Sequence, residues 1–243
     1  MTTRERADRL LVARGLFESR ARAQAAIAAG RVTADGIAVR KAAEEISSTA
    51  VIDAEPEHPY VSRGGVKLSA ALDHFSLDVA SRVCLDVGAS TGGFSEVLIA
   101  RGARRVYAVD VGRGQLHLRL RGREEIVSIE QTDIRKLDPS RLDPQPDFTA
   151  VDVSFISLKL VLPAVARLLS SRANLIALIK PQFEAQGVHA KGGIIRDAAV
   201  HHKVCDDIAA FAASLGCKDI KLFPSPIKGG DGNSEFFLGA RRG

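Results

Sequence analysis

Short apolar runs separated by helical patterns limit the possible folds of this chain more than any other feature. Each run is long enough for one buried strand and is followed within three residues by a glycine, an aspartate or a lysine; the runs are residues 82–87, 105–109, 126–130, 148–151 and 175–179. Repeated strand–helix units of this kind predict a parallel sheet that is covered by helices on both faces. A glycine-rich loop (residues 188–197), a helix (residues 198–215) and two last strands (residues 219–223 and 235–240) complete the predicted α/β fold.

The N-terminal residues have a different periodicity. Residues 4–14 and residues 19–29 each suit a short helix that is followed by a glycine. Residues 31–42 suit two short strands around Asp35-Gly36, because an Asp-Gly pair favours a hairpin reversal. This region is therefore predicted to be a small α+β unit rather than a part of the parallel sheet.

A change of composition at residues 53–65 separates the two regions. This segment, DAEPEHPYVSRGG, has two prolines and three acidic residues before two glycines, which is typical of a domain boundary. We therefore predict one domain over residues 1–58 and another over residues 59–243. Residues 1–41 contain nine Arg or Lys and four Asp or Glu, a net charge of +5, which equals the net charge of the whole chain. A basic excess in one segment is expected if that segment binds a polyanion, and a solvated basic face is the alternative.

Composition excludes several classes of protein. Nowhere do eighteen apolar residues follow one another, so no transmembrane helix is expected. The start, MTTRERADRLL, lacks the apolar region of a signal peptide. Three scattered cysteines (Cys84, Cys205 and Cys217) form no C-x-x-C pair, which argues against a zinc site and a disulfide framework. We expect a cytoplasmic protein without a metal.

The stretch CLDVGASTGGF (residues 84–94) admits three interpretations. As G-x-S-x-G it is the nucleophile elbow of a hydrolase, but no HGGG-like oxyanion segment precedes Ser90. As a dinucleotide fingerprint it has Asp110 where a ribose-binding acid belongs, but Ser90 replaces the glycine that lets a pyrophosphate approach. As an acidic residue (Asp86) before a glycine-rich turn, it is the cofactor loop of a methyltransferase. S-adenosylmethionine carries no phosphate, so its loop does not need that glycine.

Charged side chains follow several of the predicted strands. Asp110, Asp133, Asp152 and Lys180 all come at or just after a predicted strand end. Ligands of open parallel sheets bind at the carboxyl ends of the strands, so these residues are expected to lie in one layer beside a ligand. Asp110 could bind the ribose hydroxyls of S-adenosylmethionine, and Asp133 is suitably placed for the adenine edge. The methyltransferase interpretation uses this layer most fully and is therefore favoured.

Seven motifs occur in order along the predicted sheet domain. They are SRGGVKL (residues 62–68), LDVGASTGGF (85–94), AVDVGRGQL (108–116), VDVSFISL (151–158), LIKPQFE (178–184), KGGIIRD (191–197) and GNSEFF (232–237). Together they closely resemble the TlyA/haemolysin A family of RNA ribose methyltransferases, which are related to FtsJ-type enzymes. Residues 4–46 resemble the αL-motif RNA-binding module shared with a small-subunit ribosomal protein and several pseudouridine synthases. The residues that carry this second resemblance are Leu10, Arg14, Gly15, Ser19, Arg20, Ala23, Ile27, Gly30, Val32 and Gly36.

The resemblance implies a fold, a cofactor and a set of site residues. The fold is a Rossmann-like class I methyltransferase sheet with helices on both faces, preceded by the small RNA-binding domain, and the cofactor is S-adenosyl-L-methionine. The residues that match the catalytic Lys-Asp-Lys-Glu tetrad are Lys67, Asp152, Lys180 and Glu235. The candidate cofactor-binding residues are Asp86, Gly88, Ala89, Ser90, Gly92, Gly93, Phe94, Asp110, Asp133 and Asp152. The candidate RNA-binding residues are Arg4, Arg6, Arg14, Arg20, Arg22 and Arg31.

The implied reaction is methylation of a ribose 2′-hydroxyl in ribosomal RNA. In this hypothesis Lys180 contacts the hydroxyl, Lys67 stabilises developing oxyanion charge, and Asp152 and Glu235 hold the two lysines. The chain stops a few residues after its last predicted strand, as in the shorter family members. This implies a cytidine of large-subunit 23S rRNA as the target, with 16S rRNA as a second candidate. A monomer that binds rRNA or a ribosomal subunit is expected.

Two alternatives from other classes stay open. The basic, Leu/Ala-rich N-terminal helix could lie on an anionic membrane, as the haemolysin name suggests, although the segment is short and broken by glycine. An RNA-binding protein with an inactive methyltransferase fold is the second alternative, and the intact tetrad argues against it. Basic residues in GRGQLHLRLRGR (residues 112–123) either contact RNA or form a solvated face.

Overall fold

A computed structural model describes residues 3–185 and 193–243. The chain forms two compact units, of which the first ends at Pro59 and the second spans Tyr60–Gly243. Residues 186–192 lie outside the described residues, and they include parts of the predicted glycine-rich loop and of the KGGIIRD motif.

The N-terminal unit combines two helices with two small antiparallel sheets. Its elements are β1 (Arg4–Arg6), α1 (Ala7–Ala13), α2 (Arg20–Ala28), β2 (Val32–Ala34), β3 (Ile37–Ala38), β4 (Glu45–Ser47) and β5 (Ile52–Ala54). β1 pairs with β4, and β2 lies between β3 and β5. The start of the expected helix over residues 4–14 is a strand instead, because its backbone pairs with β4. The expected hairpin is present, and Asp35 and Gly36 have the left-handed φ values of 52° and 77° that such a turn requires.

The second unit is built on one seven-stranded sheet. Its elements are α3 (Arg63–Phe75), β6 (Val83–Val87), α4 (Gly93–Ala100), β7 (Arg105–Val109), β8 (Ile126–Ile129), β9 (Phe148–Val151), α5 (Leu158–Leu168), β10 (Asn174–Ile179), α6 (Pro181–Glu184), α7 (Ala198–Ser214), β11 (Cys217–Pro224) and β12 (Phe236–Arg242). The strand order is β11-β12-β10-β9-β6-β7-β8. The five strands from β6 to β10 pair in parallel, and β12 runs antiparallel to both of its neighbours. The predicted sheet covered by helices is confirmed, with an antiparallel pair at one edge.

Alternation along β6 divides the core between the two faces of the sheet. Leu85 and Val87 pack with α5 and α7 on one face, and Cys84 packs with α3 and α4 on the other. Asp86 falls on the same face as Cys84, because successive side chains of a strand point in opposite directions. The carboxyl group of Asp86 is thereby placed in an otherwise apolar layer. Asp86 is the last residue but one of β6, just before the glycine-rich loop.

The chain reverses direction across the sheet at β6. β7 and β8 extend the sheet to one side of β6, and β9 and β10 extend it to the other. Crevices at such a reversal, at the carboxyl ends of the strands, are where open α/β sheets bind ligands. The ends of β6, β7 and β9 therefore frame the expected site.

Within residues 3–185 and 193–243, the helices are all too short or too polar to cross a bilayer.

Candidate active site

The loop after β6 takes a shape that only glycine allows at two positions. Gly88 and Gly92 have φ values of 84° and 93°, and a Cβ at Gly88 would overlap the backbone oxygen of Asp152. The backbone N–H groups of Gly88 and Ala89 donate to Val109 O at 2.9 and 3.1 Å. The loop is therefore pressed between the ends of β7 and β9, and it leaves its outer face open to a ligand.

Asp110 ties two loops of this edge together. Its Oδ2 accepts the backbone N–H of Ser90 at 2.8 Å, and its Oδ1 accepts that of Gly112 at 2.7 Å. A carboxylate has about four lone-pair positions, so Asp110 still has acceptor positions for ribose hydroxyls. The residue that first suggested a serine hydrolase, Ser90, acts here through its backbone.

A cavity of about 520 Å³ opens at the ends of β6, β7 and β9. Among the predicted cofactor residues, those that line it are Gly88, Ser90, Asp110, Asp133 and Asp152. Val111, Ile134 and Phe155 add apolar surface to the wall. Cavities of roughly 300–1,000 Å³ with apolar walls and a few polar groups are typical of cofactor sites.

The other predicted cofactor residues lie behind this wall. Phe94 is buried in the core, with its ring centroid 6.5 Å from that of Phe237. Gly93 starts α4, and a Cβ there would overlap the Ser62 hydroxyl. These residues shape the loop by packing and do not line the cavity.

Asp133 is engaged by a neighbouring arginine. Its carboxylate forms an ion pair with Arg135 at 2.6 Å, and hydrogen bonds from that side chain hold the pKa of Asp133 below its ordinary value. An adenine amine would share this carboxylate with Arg135. Both residues line the cavity, so the pair forms its polar end.

Asp86 is completely buried and incompletely paired. Ser95 Oγ donates to Asp86 Oδ2 at 2.6 Å, whereas Oδ1 has no hydrogen-bond partner. Burial, with a smaller contribution from the nearby carboxylate of Asp152, raises the pKa of Asp86 to about 7. A positively charged group bound beside this carboxyl would favour its ionised form.

The four tetrad residues form two ion pairs. Lys67 Nζ donates to Glu235 Oε2 at 2.5 Å, and the two side chains are only 9% and 3% exposed. Lys180 Nζ lies 2.6 Å from Asp152 Oδ1 without hydrogen-bond geometry, and it donates to Ser154 Oγ at 2.9 Å. A buried or half-buried lysine held by a carboxylate is a strongly oriented cation.

Strand register places the two pairs next to each other. Ile179 pairs with Phe236, so Lys180 at the end of β10 lies beside Glu235 at the start of β12. Asp152 follows β9, which is the other neighbour of β10. Lys67 reaches the same edge from α3. The structure thus brings the four residues together at the carboxyl ends of β9 and β10, and the end of β9 also frames the cavity.

Several neighbours that hold these groups were not among the predicted site residues. Ser154 receives a hydrogen bond from Lys180, and Phe155 lies on the cavity wall with 90% of its surface exposed and a φ of 63°. Glu184 accepts hydrogen bonds from Ser157 and the backbone of residue 158. Ser154, Phe155, Ser157 and Leu158 all belong to the VDVSFISL motif, and Glu184 ends LIKPQFE. Motif membership was therefore the available signal.

The predicted RNA-binding arginines of the N-terminal unit are ordered by internal contacts. Arg6 and Arg20 both pair with the buried carboxylate of Asp8, at 3.1 and 2.7 Å. Arg14 donates to two backbone oxygens, Arg4 to one, and Arg31 pairs with Glu55. Arg22 lies in the first turn of α2. The side chains of Arg6 and Arg20 are nevertheless 39% and 48% exposed.

The basic segment over residues 112–123 is also tied to the protein. Arg119 pairs with Glu96 at 2.9 Å, and Arg121 donates to the backbone oxygens of Gly114 and Leu116. Glu130 accepts the backbone N–H groups of residues 114–116, which orders the same loop. These contacts are those of a structured loop beside the cofactor cavity.

The fold and the site define an S-adenosylmethionine-dependent methyltransferase with an appended RNA-binding module. Residues 60–242 match the family model for FtsJ-like methyltransferases, and residues 5–52 match the S4 domain. The chain belongs to the FtsJ-like methyltransferase family and, within it, to the TlyA/haemolysin A group. The resemblance stated from the motifs is thereby confirmed, as is the cofactor.

Individual relatives cover nearly the whole chain. The Mycobacterium tuberculosis 16S/23S rRNA (cytidine-2′-O)-methyltransferase TlyA is 42% identical over 99% of this chain and 91% of its own. Hemolysin A of Brachyspira hyodysenteriae is 39% identical over 95% of this chain and 97% of its own. A solved structure from Streptococcus thermophilus that carries a hemolysin name is 41% identical, with a TM-score of 0.77 over 100% of this chain and 90% of that one.

A more distant structure shows the fold alone. The N-methyltransferase NodS from Bradyrhizobium japonicum, solved with S-adenosyl-L-homocysteine, has a TM-score of 0.52 at 13% identity over 73% of this chain and 87% of that one. The same sheet therefore supports methyl transfer to other acceptors, and the acceptor must be inferred from the tetrad and the N-terminal unit.

Proposed function

We propose that this protein transfers a methyl group from S-adenosylmethionine to the 2′-hydroxyl of a cytidine in ribosomal RNA. The target of this proposal is 23S rRNA of the large subunit, with 16S rRNA as the second candidate, in keeping with the name of the M. tuberculosis relative. The observation that carries the proposal is the placement of two lysine–carboxylate pairs at the sheet edge beside the cofactor cavity. A cytoplasmic location is part of this proposal. We also assign the reaction to a single chain, because one chain contains both pairs and the cavity.

The cavity residues fit S-adenosylmethionine by their chemistry. Asp110 offers acceptors to the ribose hydroxyls, and Asp133 with Ile134 suits the adenine. Gly88 leaves room for close approach of the methionine part, and Asp86, which is buried behind the cavity wall, offers a carboxyl group to its positive charge. When bound, the cofactor supplies an electrophilic methyl group on a sulfonium.

The tetrad residues act on the RNA hydroxyl. The reaction joins the ribose oxygen to the methyl carbon, breaks the carbon–sulfur bond and releases the hydroxyl proton. Lys180, held by Asp152 and Ser154, positions the hydroxyl in line with the methyl group, and such positioning supplies much of the rate. Lys67, held by Glu235, stabilises negative charge that develops on the oxygen.

The target nucleotide is held by surfaces outside the tetrad. Phe155 stands exposed at the cavity wall, where an aromatic ring can stack on an unpaired base, as is common in RNA recognition. In the N-terminal unit, Arg6 and Arg20 present ordered guanidinium edges to phosphates, together with Arg4, Arg14, Arg22 and Arg31. Binding through phosphates should weaken steeply as salt increases.

The direct test uses S-adenosylmethionine with a labelled methyl group. The protein is incubated with free rRNA, with small subunits and with large subunits, and the labelled nucleotide is mapped by digestion and mass spectrometry. We expect label on a cytidine 2′-oxygen, chiefly in large-subunit RNA, and loss of label with Lys180→Met.

Other outcomes separate the alternatives. Label on a base nitrogen or carbon would contradict the ribose assignment. Lysis of anionic liposomes without RNA label would favour a membrane-active protein. Binding of rRNA without label on any substrate, with bound cofactor demonstrated, would favour an inactive methyltransferase fold.

A further inference from the structure

Two segments that carry tetrad residues contact each other at three successive points. Residues 152–158 follow β9, and residues 180–184 follow β10. Lys180 contacts Asp152 and Ser154 at the first point. The Phe155 and Phe183 rings lie 5.0 Å apart at the second. The third contact is made by Glu184, and it is the only one of the three that has no assigned part in catalysis or RNA binding.

Glu184 joins the end of one segment to the end of the other. Its Oε2 accepts the hydroxyl of Ser157 at 2.5 Å, and its Oε1 accepts the backbone N–H of Leu158 at 2.7 Å. Ser157 is the N-cap of α5, and its hydroxyl oxygen also accepts the N–H of Lys159 at 3.1 Å. The carboxylate therefore lies at the N-terminus of α5, where the helix dipole favours a negative charge.

The segment between β9 and α5 is held in a strained conformation. Phe155 has a φ of 63°, in the left-handed region that a bulky residue rarely adopts. Such strain persists only where the surroundings fix the chain on both sides. On one side, Asp152 N–H donates to Val87 O at 2.8 Å. On the other side, the contacts of Glu184 anchor residues 157 and 158.

We propose that Glu184 is a positioning residue for methyl transfer, which holds residues 152–158 in the conformation that supports Lys180. This inference rests on the proposed function and deepens it. Without Glu184, Phe155 relaxes toward a negative φ. Ser154 then moves away from Lys180, and the aromatic ring leaves the cavity wall. The residue acts through Ser154 and Phe155 and does not touch the substrate.

A helix cap without a catalytic role is the competing explanation for Glu184. Asp138 offers the matched control, because its carboxylate caps a short helical turn by accepting the N–H of Ser140 at 2.9 Å, and this hydrogen bond involves neither residues 152–158 nor residues 180–184. Asp138→Ala removes a cap alone. Glu184→Ala removes a cap and the link between the two segments.

The test compares turnover and cofactor affinity of the full chain. With Glu184→Ala, we expect kcat on ribosomal RNA to fall about 10- to 100-fold, in the range that misplacement of a reacting group costs. S-adenosylmethionine affinity should change much less, and Asp138→Ala should leave kcat unchanged. Glu184→Gln should restore most of the activity, because its amide oxygen still accepts the N–H of Leu158 and the Ser157 hydroxyl can rotate to accept from its nitrogen.

A double variant gives a result that a general loss of stability would not give. Asn tolerates a left-handed φ better than Phe does, so Phe155→Asn removes most of the strain that Glu184 opposes. Glu184→Ala should therefore cost much less kcat in the Phe155→Asn background than in the wild type. Equal costs in both backgrounds, or wild-type turnover of Glu184→Ala, would overturn the proposal.

Hydrogen–deuterium exchange provides a readout that does not depend on the substrate. Glu184→Ala should speed exchange of residues 152–158 and leave the central strands unchanged, whereas faster exchange across the whole unit would indicate unfolding and overturn the specific role. If the wild type methylates no RNA, the proposed function fails, and this exchange measurement still decides whether Glu184 orders the segment.

Discussion

Asp8 of the N-terminal unit and Asp86 of the methyltransferase unit are both fully buried, but they differ in their partners. Asp8 accepts hydrogen bonds from Arg6, Arg20 and Gln24, and these hold its pKa far below the ordinary value despite burial. Among the described residues, Asp86 has hydrogen bonds from Ser95 alone, and burial raises its pKa to about 7.

The two units differ in whether a buried carboxyl group has a cationic partner within the protein. Around Asp8, two arginines balance the charge and are themselves fixed at the surface, as a binding module requires. Around Asp86, no cation within the described residues contacts the carboxyl group, so a positive ligand bound nearby would favour its ionised form. The ammonium and sulfonium groups of S-adenosylmethionine are such ligands. Asp152 and Glu235 are intermediate in the number of cationic partners, because each is paired with one lysine.

The largest effect is expected from removal of Lys180, the lysine that pairs with Asp152. Without it, Asp152 resembles Asp86, which has no paired cation among the described residues. We expect Lys180→Met to reduce methyl transfer about 10²- to 10⁴-fold, the range for a positioned acid–base group. Cofactor binding should persist, because Lys180 is not among the residues that line the cavity. Single-turnover methylation and calorimetry with S-adenosylmethionine measure the two effects.

Lys180→Arg then separates two roles of the lysine. A guanidinium does not give up its proton near neutral pH, so an active arginine variant would identify Lys180 as an orienting cation. An inactive arginine variant would identify Lys180 either as a base or as a group whose compact shape is essential. Wild-type turnover of Lys180→Met would contradict the tetrad assignment altogether.

Glu235→Gln breaks the more deeply buried of the two ion pairs. Leaving the Lys67 ammonium without its carboxylate should lower the free energy of unfolding by about 3–5 kcal/mol. The exposed pair Lys203–Asp207, at 3.5 Å on α7, is the control, and Asp207→Asn should cost only about 0.3–0.5 kcal/mol. Urea unfolding of both variants measures the difference, and similar losses would show that burial of the tetrad pair is unimportant.

Asp8→Asn removes the centre of the arginine cluster. Loss of hydrogen bonds to a charged group should destabilise the N-terminal unit by about 1.5–3 kcal/mol. The pKa of Asp8 is lowered in the folded protein, so its stabilisation is present above the ordinary pKa of an aspartate and is lost as pH falls below it. Thermal unfolding of the wild type at several acidic pH values, compared with Asp8→Asn, tests this sign.

RNA binding by the same variant gives a second, less obvious result. Asp8→Asn makes the unit more positive, yet we expect weaker rRNA binding, because Arg6 and Arg20 lose their fixed orientation. Asp53→Asn changes the charge equally at an exposed position of β5 and should bind slightly more tightly. Filter binding at several salt concentrations compares them, and equal affinities would show that net charge alone governs binding.

The pH dependence of cofactor binding tests Asp86 and is the smallest expected effect. A bound cation favours the ionised carboxylate, so binding should release a proton near pH 7. Affinity should rise with pH, by at most about tenfold per unit, until the pH exceeds the raised pKa. Calorimetry between pH 6 and 8 measures this slope, and Asp86→Asn should flatten it. An unchanged slope in that variant would assign the proton to another group.

The stability contribution of Asp86 runs opposite to that of Asp8. Its pKa is raised in the folded protein, so the contribution is fully present below the ordinary pKa of an aspartate and is lost as pH rises through about 7. Acidification therefore acts on the two units in opposite directions and in different pH ranges. Titration of Asp86 stabilises the methyltransferase unit as pH falls from about 7 to the ordinary aspartate pKa, and titration of Asp8 destabilises the N-terminal unit only below that pKa.

Local patterns predicted the elements of this fold well. The ends of β6, β7 and β9 were predicted within a residue, because apolar strands followed by glycine or aspartate are a local signal. The start of the first predicted helix was wrong, because residues 4–6 pair with β4, which is far away in sequence. Similarly, the periodicity gave no indication that β12 would run antiparallel between β10 and β11.

Local sequence predicted the order of strands and helices, the glycine-rich loop after β6 and the four candidate tetrad residues, because turn residues, periodicity and ordered motifs are properties of neighbouring positions. Only the tertiary structure decided which lysine pairs with which carboxylate, since Lys67 and Glu235 are 168 positions apart and meet through strand order and register. It also decided that the pKa is lowered at Asp8 and raised at Asp86. Burial favours the neutral acid at both Asp8 and Asp86, and the arginines that reverse this at Asp8 are brought to it by the fold.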